Sequence, residues 1–321
     1  MIDEHKRLAL GRRLSLGASP EPRRSRLPRG GVAAFAALAL ALVASLAAPR
    51  WPRESTLTFL DVGQGDCILL RTASGHAVLL DGGGRSEASR AAGPDPIGEA
   101  VVVPALRTLG VRRLDAVVLT HPHQDHAGGL AAVLRRLPAG LLLEPETAGE
   151  TCAGFRELVA AARERGVPRR VIHRGAKLNL DGSARLEFLG PAPGGGEAEG
   201  NNGSVVALYR EGPRSALLMG DCEAEGERTL PHPLPHVDLL KVAHHGSRAG
   251  TTAELLSEVH PQVAVISCGA GNPFGHPDLG TLRRLREAGS TVYRTDLSGA
   301  VTVTLGKERI TVSTQREAAR G

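Results

Sequence analysis

The stretch THPHQDH, residues 120–126, holds three histidines and one aspartate directly after the apolar run LDAVVL. Side chains two residues apart in an extended segment point the same way, so His121 and His123 can bind one metal ion together. Asp125 and His126 follow where the chain turns into a helix, and they can face a second ion about 3.5–4 Å away, as in two-metal hydrolases. Imidazole and carboxylate together suit Zn²⁺, Mn²⁺ or Fe²⁺. The spacing therefore predicts a metal site rather than a set of surface histidines.

Further candidate donors for such a site follow other predicted strands, at positions where glycines allow tight turns of the backbone. The candidates are Asp81 in LLDGGG, Asp221 in LLMGDC, His244 and His245 in KVAHHGS, and His276 in NPFGHP. Each also has a structural interpretation. An aspartate can form a turn or cap a helix, and a histidine can be packed and hydrogen-bonded. The residues alone leave both interpretations open.

Short apolar runs alternate with amphipathic patterns after residue 55, which predicts an α/β domain. Strands are predicted at 56–72, 76–84, 114–120, 141–146, 185–190, 204–210, 215–220, 263–269 and within 291–314. Helices are predicted at 97–110, 127–138, 155–166, 252–259 and 278–289. This doubling suggests two similar halves, each a sheet with helices on its outer face, separated by the glycine-rich loop 191–202.

The first 50 residues differ from the rest in composition. Residues 1–31 are rich in Arg, Pro and Ser, which predicts a basic disordered arm. Residues 32–48 carry no charge and are just long enough for a membrane-spanning helix. Three interpretations stay open: a membrane anchor with the arm inside the cell, a signal peptide cleaved near residues 45–47, and a buried helix. The first two place the chain from residue 51 onward outside the cytoplasm, either anchored or secreted.

The net charge of +5 also comes from this arm. The first 50 residues contain nine Lys or Arg and three acidic residues, so the remainder is close to neutral. A basic patch is the usual electrostatic signature of a nucleic-acid binder. The overall charge of this chain therefore does not by itself indicate DNA binding.

Taken together, the motifs resemble a known family. THPHQDHAGG resembles the H-x-H-x-D-H signature of the metallo-β-lactamase superfamily. The segments FLDVGQGDCILL, LLDGGG, NNGSVVALY, LLMGD, LKVAHHGS and NPFGHP resemble the C-terminal domain of the ComEC competence family. The resemblance covers about residues 56–304 of a domain that we place at 56–321. It implies an αββα sandwich of the metallo-β-lactamase fold, preceded by a candidate transmembrane helix at 32–48, with metal at the joint between the sheets.

The resemblance also implies roles for the candidate ligands. The first ion would be held by His121 and His123, and the second by Asp125, His126 and His276, with Asp221 bridging the two. Relatives carry a further histidine before the bridging aspartate. Here that region reads GNNGS, so Asn201 or Asn202 would substitute or the first position would be weaker.

Three catalytic roles follow from the same resemblance. Asp125 or Asp221 would orient the attacking water, and His245 would contact phosphate or protonate the leaving group. Asp81 and His244 are further candidate metal ligands. Asp66 of the GQGD signature is given no chemical role.

The implied function is a metal-dependent nuclease acting on DNA, most simply single-stranded DNA during competence-type uptake. It would use one or two Zn or Mn ions per chain, with the membrane contacted through residues 32–48 and a separate channel subunit as a partner. A second hypothesis is a hydrolase of the same fold acting on a small ester, lactone or phosphodiester, which the near-neutral domain favours. A third is a non-catalytic, membrane-anchored DNA-binding or assembly module, which the missing histidine favours.

Overall fold

The chain divides after residue 48 into two units, which are considered separately. The computed structural model describes residues 33, 34, 38, 51–85, 95–146, 152–193 and 200–316. In the first unit the described residues are Ala33, Ala34 and Leu38, all helical. The predicted arm at 1–31 and almost all of the apolar segment at 32–48 lie outside the described residues. Within the described ranges, no helix is both long enough and apolar enough to cross a bilayer.

The described residues of the second unit form fifteen strands, most of them short and rich in Val, Leu and Ile. In chain order they are β1 (Ser55–Phe59), β2 (Ile68–Arg71), β3 (Ala77–Leu80), β4 (Ala116–Val118), β5 (Leu142–Glu144), β6 (Arg169–Val171), β7 (Lys177–Asn179), β8 (Ala184–Gly190), β9 (Val206–Glu211), β10 (Arg214–Leu218), β11 (Leu239–Lys241), β12 (Val263–Ile266), β13 (Thr291–Arg294), β14 (Val301–Leu305) and β15 (Ile310–Thr314).

These strands build two mixed sheets. The first has the order β15-β14-β1-β2-β3-β4-β5-β6 and the second has the order β13-β12-β11-β10-β9-β8-β7. Strands β3 to β6 are parallel in the first sheet, and β10 to β13 are parallel in the second. The remaining pairs are antiparallel. Each sheet therefore has a parallel half, and parallel strands collect their carboxyl ends at one edge.

Helices cover the parallel halves. The described helices are α1 (Val103–Thr108), α2 (Gln124–Ala127), α3 (Leu130–Arg136), α4 (Ala153–Arg165), α5 (Ala224–Thr229), α6 (Ala253–Val259), α7 (Leu279–Glu287) and α8 (Thr295–Ser298). A one-turn π-helix, Gly98–Val102, runs directly into α1, and Pro104 is accommodated because it lies in the first turn of α1. The predicted end of α4 is confirmed, since Gly166 adopts the left-handed φ of 64° that terminates the helix.

Three apolar clusters make the structure an αββα sandwich. The central cluster lies between the sheets, where Ala184, Leu186 and Phe188 alternate with half-buried neighbours along β8. The other two clusters lie between each sheet and its helices, as with Leu158 of α4 and Leu285 of α7. Each fully buried Leu or Phe contributes about 1.5–3 kcal/mol. The predicted αββα sandwich is confirmed, whereas the transmembrane helix predicted at 32–48 stays a prediction.

Some predicted connections differ from the structure. The chain crosses between the sheets after β6, so the loop at 191–202 joins β8 to β9 within the second sheet and does not separate the halves. The last two strands pair back with β1 in the first sheet. The helix expected from residue 127 is preceded by the short α2, which carries Asp125 and His126 in its first turn. The pairing of β14 with β1 joins segments far apart in the chain, and local sequence patterns do not specify such pairings.

Candidate metal centre

The candidate ligands meet where the parallel strands of both sheets end. Asp81 follows β3 and His121 follows β4 in the first sheet, while Asp221 follows β10 and His245 follows β11 in the second. The adjacent loops hold α2 tightly in place. A side chain at Gly65 would lie 2.2 Å from the carbonyl oxygen of Asp125, so the GQGD loop can pass there only because of its glycine. The sheet edges and this close packing together fix the cluster.

Asp221 lies at the centre of the strongest group of donors. Its Oδ2 is 3.3 Å from Nε2 of His126 and 3.3 Å from Nε2 of His245. His245 Nε2 is also 3.4 Å from Oδ2 of Asp125. Atoms of Asp125, His126 and His245 all lie within 4.8 Å of one another, as do atoms of His121, His126 and Asp221. The structure thus brings the second half of the H-x-H-x-D-H motif together with Asp221 and His245.

This group fits a divalent cation. His126 Nε2, His245 Nε2 and Asp221 Oδ1 are buried, and none of them has a hydrogen-bond partner among the described residues. Buried polar atoms are otherwise almost always hydrogen-bonded. Imidazole nitrogen and carboxylate oxygen are the donors that Zn²⁺, Mn²⁺ and Fe²⁺ accept. The unpartnered atoms and their chemistry are therefore those of a metal-binding site.

Both ligand imidazoles are oriented from behind. His126 donates from Nδ1 to Oδ2 of Asp81 at 2.8 Å, and Asp81 also accepts from the amide and hydroxyl of Thr120 at 2.8 and 2.7 Å. His245 donates from Nδ1 to the carbonyl oxygen of Ser267 at 3.0 Å. In each case the other nitrogen, Nε2, is directed to the cluster, as in carboxylate–histidine–metal arrangements. The structure thus places Asp81 behind His126, where it orients a ligand.

Three residues of the site have left-handed backbone. Asp81, His244 and His245 have φ of 57°, 46° and 54°. Such values are uncommon for residues other than glycine and cost about 1–3 kcal/mol each. They place the two histidine side chains of AHHG in different surroundings, because His245 is buried whereas the side chain of His244 is 23% exposed.

The first half of the motif is arranged differently. His121 Nε2 lies 2.9 Å from Nδ1 of His123 and 3.9 Å from Oδ2 of Asp221. Asn201 and Asn202, the candidate replacements for a third histidine, make other contacts. Asn201 donates from Nδ2 to Glu223 Oε1 at 3.0 Å, while its buried Oδ1 has no hydrogen-bond partner among the described residues. Asn202 Oδ1 accepts from the backbone amides of Glu223 and Gly226 at 3.1 and 3.0 Å.

His276 lies at the rim of the cluster. Its ring centroid is 5.4 Å from that of His244 and 6.4 Å from that of His245. Burial, together with His244 and His245, lowers the pKa of His276 to about 4. Among the described residues, two of the four close groups of three donors include His245, and none of the four includes His276. The ligand role of His276 and the proton-donor role of His245 stay predictions. In the structure, His245 is buried inside the cluster and His276 lies at its rim.

Sequence reasoning missed Lys241, which is fully buried beneath the cluster. Its ammonium contacts the carboxylate of Asp66, donates to the carbonyl oxygen of Gly220 at 2.7 Å and lies 3.6 Å from Oδ1 of Asp221. Asp66 lies in the loop between β1 and β2 of the first sheet and Lys241 lies in β11 of the second, so this ion pair connects the two sheets at the site. The signal that could have identified it is a lysine within the apolar strand sequence LLKVA, because buried lysines are rare unless they are paired.

Electrostatics keeps the cluster highly charged. Burial opposes ionisation of Asp221, but His245 and His126 outweigh it and lower the pKa of Asp221 well below its ordinary value. The same two histidines lower the pKa of Asp125 against the effect of burial. Burial alone would lower the pKa of His126 and of His245, but the surrounding carboxylates, Asp221 foremost, raise both pKa values well above the ordinary one.

Asp66 and Lys241 form a second charged pair below. Against the effect of burial, Lys241 and His245 lower the pKa of Asp66 to about 2. Burial would lower the pKa of Lys241, but Asp66 and Asp221 raise it. Both side chains are therefore ionised at neutral pH, and the ammonium is a fixed positive charge beside Asp221.

The chain is similar in sequence to a known superfamily and to several characterised proteins. The sequence model of the metallo-beta-lactamase superfamily matches residues 60–270. ComE operon protein 3 of Bacillus subtilis is 33% identical over 79% of this chain and 33% of its own length. Recombination protein 2 of Haemophilus influenzae is 31% identical over 86% of this chain and 31% of its own. Competence protein ComA of Neisseria gonorrhoeae is 33% identical over 88% and 37%, respectively. The chain spans about a third of the length of these relatives.

A solved structure shares the fold. CmlA, a diiron beta-hydroxylase from Streptomyces venezuelae, matches with a TM-score of 0.51 and 18% identity, covering 79% of this chain and 55% of CmlA. At this identity the likeness concerns the fold alone. The matched domain and the competence relatives agree with the motifs and with the αββα architecture. The chain belongs to the metallo-beta-lactamase superfamily, and its resemblance to the ComEC competence family is confirmed.

Proposed function

We propose that this domain is a metal-dependent phosphodiesterase that cleaves DNA. The observation that carries the proposal is the convergence of Asp125, His126, Asp221 and His245 on one buried cluster with unpartnered donor atoms. Similarity to competence proteins supports DNA as the substrate. When bound there, a divalent ion such as Zn²⁺ or Mn²⁺ lowers the pKa of water and offsets charge on phosphate oxygens.

The chain's own carboxylates have distinct roles in this proposal. The side chain of Asp125 is 18% exposed, while that of Asp221 is only 2% exposed. Asp125 therefore faces the side from which substrate and water approach, and it orients the attacking water by accepting a hydrogen bond from it. Asp221, enclosed between His126 and His245, holds the ligand group together.

The two histidines of AHHG, His244 and His245, also have different roles in this proposal. His245 is 1% exposed, its Nδ1 donates to the carbonyl oxygen of Ser267, and its unpartnered Nε2 faces the cluster, which suits a metal ligand better than a group that reaches the substrate. His244 has its Nδ1 2.8 Å from Oε1 of Glu223 and its Nε2 3.8 Å from Oδ2 of Asp221. We assign contact with the substrate phosphate to His244, because it is the oriented imidazole that solvent reaches.

Substitution of Asp125 by alanine tests the proposal. We expect wild-type protein loaded with Mn²⁺ to cleave a single-stranded DNA oligonucleotide. Asp125→Ala should reduce the rate at least about 10³-fold, since it removes both a ligand and the group that orients water. Glu164→Ala, which removes an exposed carboxylate on α4, is the control and should keep full activity. Equal cleavage by wild type and Asp125→Ala would contradict the proposal.

A substrate panel distinguishes the second candidate function. The near-neutral charge of the chain after residue 50 favours a small substrate over a polyanion, because nucleic-acid grooves usually carry excess Lys and Arg. Hydrolysis of a lactone or a cyclic dinucleotide without cleavage of DNA would establish that alternative. A purified protein with less than one metal ion per chain would instead indicate a non-catalytic module.

Anchoring outside the cytoplasm is part of the same proposal. It is supported by the uncharged segment at 32–48 and the basic residues before it. This placement would allow the domain to act beside a separate channel subunit. Protease added to intact cells should digest residues 56–321 and leave the arm at 1–31 protected. A fully protected domain would contradict this placement.

A further inference from the structure

The segment GNPFGHP presents an aromatic ring beside the metal centre. Phe274 is 49% exposed, and it is the single Phe, Tyr or Trp in the described part of the chain that is classed as exposed. An isolated apolar side chain at a surface needs no special explanation. Phe274 differs because its ring stacks on His276 and because hydrogen bonds to Asn272 hold its loop beside the metal centre.

The loop is held from inside by Asn272. Its Oδ1 accepts hydrogen bonds from the amides of Phe274 and His276 at 3.2 and 3.0 Å. Its Nδ2 donates to the carbonyl oxygens of Gly269 and His276 at 2.9 and 2.6 Å. All four hydrogen-bonding positions of one amide side chain are thus used to fix a loop of a few residues. The ring of Phe274 is consequently presented in a defined position, which lowers the entropic cost of binding a ligand.

One face of the ring is already occupied by an imidazole. Phe274 and His276 are stacked, with ring centroids 5.8 Å apart and an interplanar angle of 27°. His276 in turn lies 5.4 Å from His244, whose Nε2 is 3.8 Å from Asp221. A continuous row of rings therefore leads from the exposed Phe274 to the ligand cluster.

We propose that Phe274, supported by His276, is a stacking platform for an unpaired nucleobase next to the phosphate being cleaved. This inference rests on the proposed function and narrows its substrate to single-stranded nucleic acid. Bases in a single strand can stack on an aromatic ring, and the contribution is about 1–3 kcal/mol per base with little dependence on sequence. Bases inside a duplex are already stacked and must first be extruded. A platform at this place adds affinity to a domain whose net charge is close to neutral.

Binding measurements with a cleavage-resistant ligand test the platform. The probe is a fluorescent phosphorothioate oligothymidylate, compared with an abasic oligomer of the same backbone, and anisotropy is read with metal-loaded full-length protein. Phe274→Ala should weaken binding of the oligothymidylate about 5- to 150-fold, which corresponds to 1–3 kcal/mol. It should leave binding of the abasic oligomer unchanged. Phe274→Trp should retain or improve the wild-type affinity.

Controls separate stacking from general damage. Val171, on the distant edge strand β6, is also 49% exposed, so Val171→Ala removes a comparable apolar surface and should leave both affinities unchanged. Metal content and melting temperature of Phe274→Ala should match the wild type. Equal binding of the oligothymidylate by wild type and Phe274→Ala, or equal losses on both oligomers, would overturn the platform.

The outcome is independent of the nuclease proposal. Wild-type protein that binds the oligothymidylate through Phe274 but cleaves no DNA would retain the platform and refute the nuclease. Wild-type protein that cleaves DNA with the same affinity after Phe274→Ala would retain the nuclease and refute the platform. Absence of any oligothymidylate binding by the wild type would also refute the platform.

Discussion

The two halves of the H-x-H-x-D-H motif are unequal in this protein. Asp125 and His126 join Asp221 and His245 in a group in which three donor pairs, Asp221–His126, Asp221–His245 and Asp125–His245, lie 3.3–3.4 Å apart. His121 has another histidine nitrogen 2.9 Å away, and its distance to Asp221 is 3.9 Å. His126 and His245 are therefore closer to the central carboxylate of Asp221 than His121 is.

Protonation follows the same division. Burial, together with His126, lowers the pKa of His121 well below its ordinary value. The carboxylates raise the pKa values of His126 and His245 well above it. In the metal-free protein, burial thus favours the neutral form of His121, whereas the carboxylates favour the protonated forms of His126 and His245. From this difference we expect the two candidate ion positions to differ in affinity and in proton linkage.

The largest expected effect is the loss of metal affinity when His245, rather than His276, is replaced by alanine. His245→Ala should weaken binding of the tighter metal ion more than about 100-fold, since even residues that only support a ligand contribute 10- to 100-fold. His276→Ala, the matched variant at the rim, should change that affinity by less than about threefold. Titration calorimetry with Zn²⁺ or Mn²⁺ measures both. The opposite order would restore His276 as the second-site ligand.

Loss of Lys241 should have the next largest effect. Lys241→Met leaves Asp66 buried without its main partner, which should lower the free energy of unfolding by about 3–5 kcal/mol. Because the ammonium also lies 3.6 Å from Asp221 Oδ1, metal affinity should change together with stability. Chemical denaturation and metal titration of the same preparations measure the two quantities.

Arg214 supplies the control for this variant. It pairs with Asp238 at 2.8 Å, away from the cluster, and both side chains are mostly buried. Arg214→Met should therefore reduce stability and leave metal affinity unchanged. Lys241→Met with wild-type metal affinity would show that Asp66 and Lys241 only join the sheets and do not position Asp221.

A smaller effect is expected from pH. Since His126 and His245 have raised folded pKa values, their contribution to metal-free stability is complete below the unfolded value of 6.5 and is lost as pH rises through the folded values. Metal must displace these protons, so its affinity should increase with pH over the same window, by up to about tenfold per pH unit for each proton released. The gain in melting temperature on adding metal should therefore be larger at about pH 8 than at about pH 6.

The aspartates predict the opposite limb at low pH. The folded pKa values of Asp125 and Asp221 are depressed, so their contribution to stability is present above the unfolded value of 3.8 and is lost as pH falls through the folded values.

For the histidines, metal-free protein whose melting temperature rises steadily from pH 6.5 to 9 would contradict the raised pKa values of His126 and His245.

Local signals predicted an α/β domain, and the resemblance to the metallo-β-lactamase superfamily predicted the αββα sandwich. Apolar runs located most of the strands but not the short β6 and β7, and the candidate donors Asp81, Asp221 and His245 were found because they follow strands beside glycines. Local patterns could not show which of His245 and His276 enters the cluster, because that depends on the left-handed backbone at His245 and on contacts between the two sheets. Lys241 was missed because its partner, Asp66, is 175 positions away in the chain and belongs to the other sheet.

Crystals of the metal-loaded protein, with anomalous scattering recorded at the Mn or Zn edge, test the central claim most directly. The account predicts a well-occupied ion bound by Asp125, His126, Asp221 and His245, with ligand distances of about 2.0–2.2 Å, and lower occupancy beside His121 and His123. An ion held only by His121 and His123, with His245 turned away from it, or no ion at Asp221, would contradict the account.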